Sequence, residues 1–285
     1  MPLTQLNFQP GIDTENTETG AEGRWIDGDK IRFRKGLPQK IGGWTKFSPD
    51  YYVGVGRALE QWFSLNGSRY AAVGTDRKIY VYLAGDNQDI TPIRETATLV
   101  NAISTTTSSK ILTISDLNHG AKVGDFVTLS NVSATVGGLT AATLDAEYEI
   151  LSLANVNAYT IESSGTANAN AGPTANCTAN YQLNIGPSTQ TFGYGWGVST
   201  WNTSTWGTAR ATSSVTIDTR LWSISDWGED LVITEKDGAT YEWDTSAGMV
   251  NNRATLVANA PTNSTLSLVS TETRHVVCMG TETTI

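Results

Sequence analysis

A short strand unit that is used more than once constrains this fold more than any other feature. Residues Arg57–Tyr82, RALEQWFSLNGSRYAAVGTDRKIYVY, read as an apolar strand, a turn at Asn66-Gly67 and a strand over Tyr70–Val73. A turn at Gly74-Thr75-Asp76 and a strand over Lys78–Tyr82 complete the unit. The pattern returns at Leu221–Trp243, where Leu231-Val232-Ile233-Thr234 matches Ala71-Ala72-Val73-Gly74 and Thr240–Trp243 matches Lys78–Tyr82, with the turn at Asp237-Gly238. It returns again at Thr265–Ile285, aligning Val276–Gly280 with the same apolar run and Thr281-Glu282 with Thr75-Asp76. Thr234 and Gly280 are 46 residues apart, close to the roughly 40–50 of one propeller blade. Gly74 to Thr234 is 160 residues, one such period plus an insertion of roughly a hundred. A propeller protects its strand edges by closing on itself. A third copy that stops at Ile285 therefore predicts either a chain that continues or a last blade completed in trans.

The rest of the composition agrees with strands. Only 16% of the 285 residues are charged, and Thr, Ser, Asn, Gly and aromatics fill the chain where long helices would need Glu, Lys, Arg, Leu and Ala at helical spacing. The expected class is all-β: incomplete β-propeller-like blades with an inserted small β-sandwich or barrel domain. A net charge of −9 argues against a whole-protein grip on nucleic acid while leaving room for a local basic patch. Cys177 and Cys278 are far apart with no CxxC and no nearby His pair, so buried free thiols are expected, not a disulfide or metal site. The first residues lack a basic segment followed by an apolar run, so no secretory leader is expected. No apolar stretch approaches the ~20 residues of a membrane span, and no membrane insertion is expected.

Taken in order, residues 1–23 are polar and Gly-rich and read as an extended arm or loop that gains order from a neighbour. Residues 24–95 form the first blade region. Within it Asp27-Gly28-Asp29 is a turn, and Lys30-Ile31-Arg32-Phe33-Arg34 alternates with period two. This pattern puts Ile31 and Phe33 toward a core and Lys30, Arg32 and Arg34 outward. Gly36-Leu37-Pro38 and Gly42-Gly43 read as strand breaks. Residues 96–187 are the inserted β domain, with strands at Ile111–Ile114, Phe126–Leu129, Tyr148–Ile150 and Ala158–Ile161 separated by glycine turns. Residues 188–285 carry the further blades.

Catalytic signatures are sparse. His119 in LNHGAKVGD reads as a turn residue and His275 as the start of an apolar strand. No GxSxG, HExxH or phosphate loop occurs. Asp226, Glu229 and Asp230 contain the residue types of a glycosidase pair, but DWGED falls at a hairpin turn and reads as a solvated loop. No catalytic residue, metal or cofactor is expected. Trp196, Trp201 and Trp206 recur at a spacing of five among Gly, Ser and Thr. They are read as core or subunit packing, with sugar stacking by the 192–207 loop as the alternative. Lys30, Arg32, Arg34, Lys35 and Lys40 make the one dense basic patch, and a contact with an acidic neighbouring subunit suits it better than DNA in so acidic a chain.

Three pieces resemble the tail nozzle proteins of short-tailed bacteriophages, also called tail tubular or packaged-DNA-stabilisation proteins. They are RWIDGDKIRFRKGLPQKIGGW, the unit RALEQWFSLNGSRYAAVGTDRKIYVY with its DITPI exit, and HVVCMGTETTI. The middle segment, LNHGAKVGDFVTLSNV with YEILSLANVNAYTI, is similar to small β modules of phage virion proteins. The resemblance implies a structural protein of the virion tail, assembled in the host cytoplasm as a homo-oligomeric, hexameric ring below the portal. Its implied partners are other copies of itself, the head-to-tail adaptor, tail fibre or other tail proteins, and genome DNA passing through the lumen without sequence-specific contact. An acidic lumen suits that role, because like charge lets DNA slide without sticking. A carbohydrate-binding or adhesion propeller built on the tryptophan loop is the alternative function, and a propeller glycosidase is a third.

Overall fold

The computed structural model describes residues 9–43, 45–46, 48–189 and 218–281. The chain divides into two compact units, Met1–Phe47 and Ser48–Ile285. The first contains a hairpin, β1 (Ile31–Arg34) and β2 (Leu37–Lys40). Lys35 and Gly36 both have positive φ, 51° and 79°, the combination that a two-residue turn of the right twist requires. Ahead of the hairpin the chain closes on itself: Ile12 bridges Trp25, and Arg24 pairs with Asp13 at 2.9 Å. Within the expected arm, residues 9–25 thus fold back into a turn, and residues 1–8 lie outside the described residues. Leu37-Pro38 does not break the strand either. Pro38 lies opposite Phe33, a position flanked by hydrogen-bonded pairs, so its missing N–H costs no ladder bond.

The second unit is all-β and holds two kinds of sheet. The opening repeat is a four-stranded antiparallel meander: β3 (Gly56–Phe63), β4 (Arg69–Thr75), β5 (Ile79–Leu83) and β6 (Asp86–Asp89). Sequence reading expects three strands here, because β6 is DNQD and carries no apolar alternation. Its pairing with Tyr80–Leu83 is set by its neighbour rather than by its own side chains.

After β6 the chain leaves the blade as β7 (Ile93–Leu99) and β8 (Ile103–Thr105). It continues through β9 (Ile111–Ser115), β10 (Phe126–Ser130), a single helical turn α1 (Ala141–Leu144), β11 (Glu147–Asn155), β12 (Ala158–Glu162), β13 (Ala171–Thr174) and β14 (Cys177–Gln182). The sheet order is β13-β8-β9-β12-β11-β10-β14-β7. Its two edge segments are halves of the same bent ladder. β7 pairs with β14, β8 pairs with β13, and between them Ala102 N–H donates to Ala175 O at 2.9 Å. The sheet therefore closes into a barrel, which removes its edges. Leu112, Ile114, Val127, Leu129, Ile150 and Ile161 fill the interior. Tyr159 and Tyr181 cross it with their hydroxyls 3.0 Å apart, and the Tyr181 hydroxyl donates a hydrogen bond to Asp116 Oδ2 at 2.5 Å.

The repeat then resumes as β15 (Trp222–Trp227), β16 (Asp230–Glu235), β17 (Thr240–Trp243) and the short β18 (Thr255–Leu256), followed by the pair β19 (Leu266–Val269) and β20 (Val276–Met279). These sheets stack face to face, as propeller blades do, and no closed propeller is present among the described residues. The first contact is aromatic. Trp243 meets Trp62 and Tyr70 with ring centres 6.1 and 5.9 Å apart, and Trp222 packs against Gly74. A Cβ at Gly74 would lie 2.6 Å from Trp222 Cδ1, so only glycine admits the indole there. The second contact is polar: Thr234 Oγ1 and Ser267 Oγ are 2.7 Å apart, and Trp227 Nε1 donates to Arg274 O at 2.7 Å.

The third copy differs from the sequence alignment by one residue. Aligning Gly280 with Thr234 puts Val277 and Met279 against the preceding blade. In the structure Val276 and Cys278 face it, with Cys278 Sγ 3.7 Å from Thr240 Oγ1, and Ser267 opposite Cys278. A slip of one residue reverses which side chains are covered, and apolar content alone does not reveal it in VVCM.

Candidate functional site: the blade–barrel junction and the subunit surfaces

Where blade and barrel meet, two cations and two carboxylates form a closed group. Lys78 is placed by the β4–β5 turn, where Thr75 Oγ1 accepts from the backbone N–H of Lys78 at 2.8 Å. Its side chain is only 3% exposed. The ammonium pairs with Asp89 of β6 at 2.8 Å and with Glu147 of β11, and sits 4.1 Å from the Phe126 ring centre. Arg253, from the β17–β18 connection, reaches both carboxylates at 3.3 Å and donates to Thr91 O at 2.9 Å. Gln182 of β14 donates to Glu147 and Asp89.

The group is neutral overall, and every charge has a partner of opposite sign, which a buried ion pair requires. Burial pushes the Asp89 carboxyl up, but Lys78 and Arg253 together outweigh it and hold it below the ordinary value of 3.8. With its cations already engaged, this arrangement has no free acid or base. It acts as a clamp joining blade 1, the barrel and blade 2. Sequence reading passed over all four residues. The available signal was a lysine heading the apolar run IYVYL and a carboxylate in a charge-poor domain, and neither names the other.

The expected basic surface is present but divided. Antiparallel register puts side chains of opposed residues on one side. Arg32 lies opposite Gln39, its Nε donating to Oε1 at 3.1 Å, and Arg34 lies opposite Leu37. Lys40 lies opposite Ile31 and so shares the side of Ile31 and Phe33, away from the two arginines. Lys30 and Lys35 are exposed at the ends of β1 in left-handed backbone, with Lys30 3.7 Å from Asp29. The five residues are thus two arginines on one face, Lys40 on the other, and two lysines at the strand ends. Trp196, Trp201 and Trp206, and the whole 192–207 stretch, lie outside the described residues.

The DWGED carboxylates are separated by the sheet itself. Asp226 lies opposite Leu231, on the side packed against blade 1, whereas Asp230 lies opposite Trp227 on the other side. A pair on opposite faces of one sheet cannot flank a bond. The turn is also docked, not freely solvated: Glu229 O accepts from Trp62 Nε1 at 2.8 Å, and Glu229 Oε2 accepts from Leu65 N–H at 3.3 Å. Burial raises the Glu60 carboxyl, and nearby Asp226 raises it further. His119 directly follows the turn at Leu117-Asn118, as expected, but its side chain points inward. It is buried against Tyr159, and its Nδ1 accepts from Ala121 N–H at 3.1 Å. His275 is exposed just before β20. No cluster of His, Cys, Asp or Glu among the described residues is arranged to hold a metal ion.

No family model matches the sequence, and a search of curated proteins finds no match. Among solved structures the chain is similar to the phage phi92 endosialidase, with a TM-score of 0.27 and 12% identity over 82% of this chain and 35% of that one. The chain thus spans about a third of the length of that protein. A TM-score that low does not establish a common fold, and no activity transfers on it.

Proposed function

We propose that this chain is a structural protein of the bacteriophage virion, a tail nozzle or hub component. In this reading it forms a hexameric ring below the portal and the head-to-tail adaptor, and serves as conduit and plug for genome DNA during retention and ejection. It contacts other copies of itself, the adaptor and tail fibre or other tail proteins, and it joins the virion during assembly in the host cytoplasm. The observation that carries the reading is the stack of face-packed blades with a barrel spliced in after β6 and clamped there by Lys78, Asp89, Glu147 and Arg253. That is a scaffold built to hold two β modules at a fixed angle. The sequence pieces that resemble nozzle proteins fall on the hairpin, on the first blade and on the third. The net charge of −9 favours a surface past which DNA slides. Arg32 and Arg34, exposed on one face of a two-stranded ribbon, suit an acidic surface of a neighbouring subunit.

Negative-stain microscopy with mass measurement of the purified full-length protein tests this. Rings are expected, and Arg32→Glu/Arg34→Glu is expected to weaken them, most strongly at low salt, where exposed charges are least screened. A protein that stays monomeric at micromolar concentration and binds glycans overturns the reading.

A further inference from the structure

The junction group also holds the parts of a condensation reaction. Lys78 Nζ lies 2.8 Å from Asp89 Oδ2 and against Glu147 Oε1, so an amine, a carboxyl carbon and a second carboxylate meet at one point. The two oxygens of Asp89 have different surroundings. Oδ1 accepts from Thr91 N–H at 2.9 Å and faces Arg253 Nη1 at 3.3 Å, a cradle of one amide and one guanidinium donor. Oδ2 faces the lysine and, at 3.3 Å, Gln182 Nε2, which also donates to Glu147 Oε2. Both carboxylates therefore touch the same ammonium and the same side-chain amide. Lys78 and Gln182 are buried, and the Phe126 ring centre lies 4.1 Å from Nζ, which keeps bulk water from the lysine.

We propose that Lys78 and Asp89 condense into an amide, a covalent bond from the residue ahead of β5 to the last residue of β6. Nζ hands one proton across its 2.8 Å contact to Oδ2, leaving a neutral amine beside a neutral carboxyl group. The amine attacks Asp89 Cγ, and the negative charge of the new tetrahedral centre falls on Oδ1. Thr91 N–H and Arg253 already point there, as donors for a developing oxyanion must. Glu147 takes a second proton from the nitrogen and delivers it to Oδ2. The C–Oδ2 bond then breaks, Oδ1 becomes the amide oxygen and water leaves. Nothing is oxidised or reduced. One ammonium and one carboxylate become a neutral amide and a water molecule, and Arg253 stays paired with Glu147 at 3.3 Å. The buried group is thus neutral before and after, as its surroundings require.

The fold supplies what the reaction lacks in free solution. Reacting groups held in contact behave as if at an effective concentration of about 10⁵–10⁸ M, and a site closed to bulk water favours the step that expels water. Residues 78 and 89 come together only when β5 pairs with β6, Tyr80 opposite Asp89, so the bond closes after folding. Ile90, Thr91 and Pro92 follow Asp89 directly on the way to the barrel. Tension arriving through the barrel would then reach β5 through a covalent link and not through ladder hydrogen bonds alone. The ion pairs of the clamp are the reactant state of this step. The inference rests on their geometry and stands whether or not the chain belongs to a phage tail.

Mass spectrometry of the purified full-length protein tests it. After prolonged incubation at neutral pH the intact mass should fall one water short of the sequence mass. Trypsin should then cut after Arg77 and Arg94 but not after Lys78, releasing residues 78–94 as one peptide closed on itself and lighter by one water. Glu147→Gln should slow the loss roughly a hundredfold, as removal of a proton carrier does. Lys78→Arg keeps the positive charge, cannot form the amide in this way and should hold its full mass throughout. A folded parent protein that keeps its full mass, with trypsin cutting after Lys78, overturns the proposal. A missing water that fragmentation places elsewhere, or that persists in Lys78→Arg, overturns it as well.

Discussion

Replacing Lys78 with methionine probes the clamp with little change in volume, since methionine can still lie against the Phe126 ring. The substitution leaves Asp89 and Glu147 facing Arg253 alone, one negative charge in excess. Removing one partner of a buried ion pair costs about 3–5 kcal/mol. Two features lower that here: Arg253 still reaches both carboxylates at 3.3 Å, and the Glu147 side chain is 34% exposed and can turn to water, where a pair is worth about 0–1 kcal/mol. The net loss should be about 2–3 kcal/mol, centred on Asp89, which is a downward shift of about 1 M in the urea midpoint.

The pH dependence carries a sign. In the native protein the Asp89 carboxyl is held below its ordinary 3.8. Its stabilisation is therefore fully present above that value and is lost as pH falls through the lowered one. Without Lys78, burial dominates and the carboxyl rises, so the variant is penalised most at neutral pH and the gap to the parent closes toward pH 4. Lys78→Met/Asp89→Asn should cost less than the sum of its parts. A loss under about 0.5 kcal/mol at pH 7, or a gap that does not change between pH 7 and 4, would refute the buried-clamp account.

Three other outcomes follow from single contacts. Gly74→Val should displace the Trp222 indole, destabilise by about 1–3 kcal/mol through overpacking and shift tryptophan emission to the red; unchanged emission would show that the blades do not meet there. Glu60→Gln should stabilise slightly at pH 7, by no more than about 0.5 kcal/mol given its partial exposure. Its carboxyl is raised in the fold by burial and by Asp226, so the native protein gains as pH falls and the benefit should vanish below pH 4; a loss of stability at pH 7 would contradict this. Burial pushes the Cys177 thiol up to about 11, so under native conditions at pH 8 a thiol reagent should titrate Cys278 alone, with Cys177 reacting after denaturation.

Strands whose own side chains carry the pattern were legible. Ile111–Ile114, Phe126–Leu129 and Ala158–Ile161 sit within one residue of β9, β10 and β12, because alternating apolar residues point to one core whatever surrounds them. β7 and β13 were not, since IRETATL and AGPT are polar or broken by proline and are strands only because β14 and β8 offer them hydrogen bonds. The clamp was not legible either. Lys78 and Glu147 are 69 residues apart, and nothing local to either marks a partner. The basic hairpin was legible as a strand but not as a surface: alternation fixed Arg32 and Arg34, whereas the side taken by Lys40 depended on the turn at Lys35-Gly36.

By itself the sequence determined the all-β class and the strands that carry their own apolar alternation, because period-two alternation and turn residues are properties of adjacent positions. Only the tertiary structure decided that each complete blade has four strands and that the inserted sheet closes into a barrel. It alone put Asp226 and Asp230 on opposite faces of one sheet. Those facts depend on register between distant segments, where a shift of one residue exchanges the buried face for the exposed one while the composition of either strand stays the same.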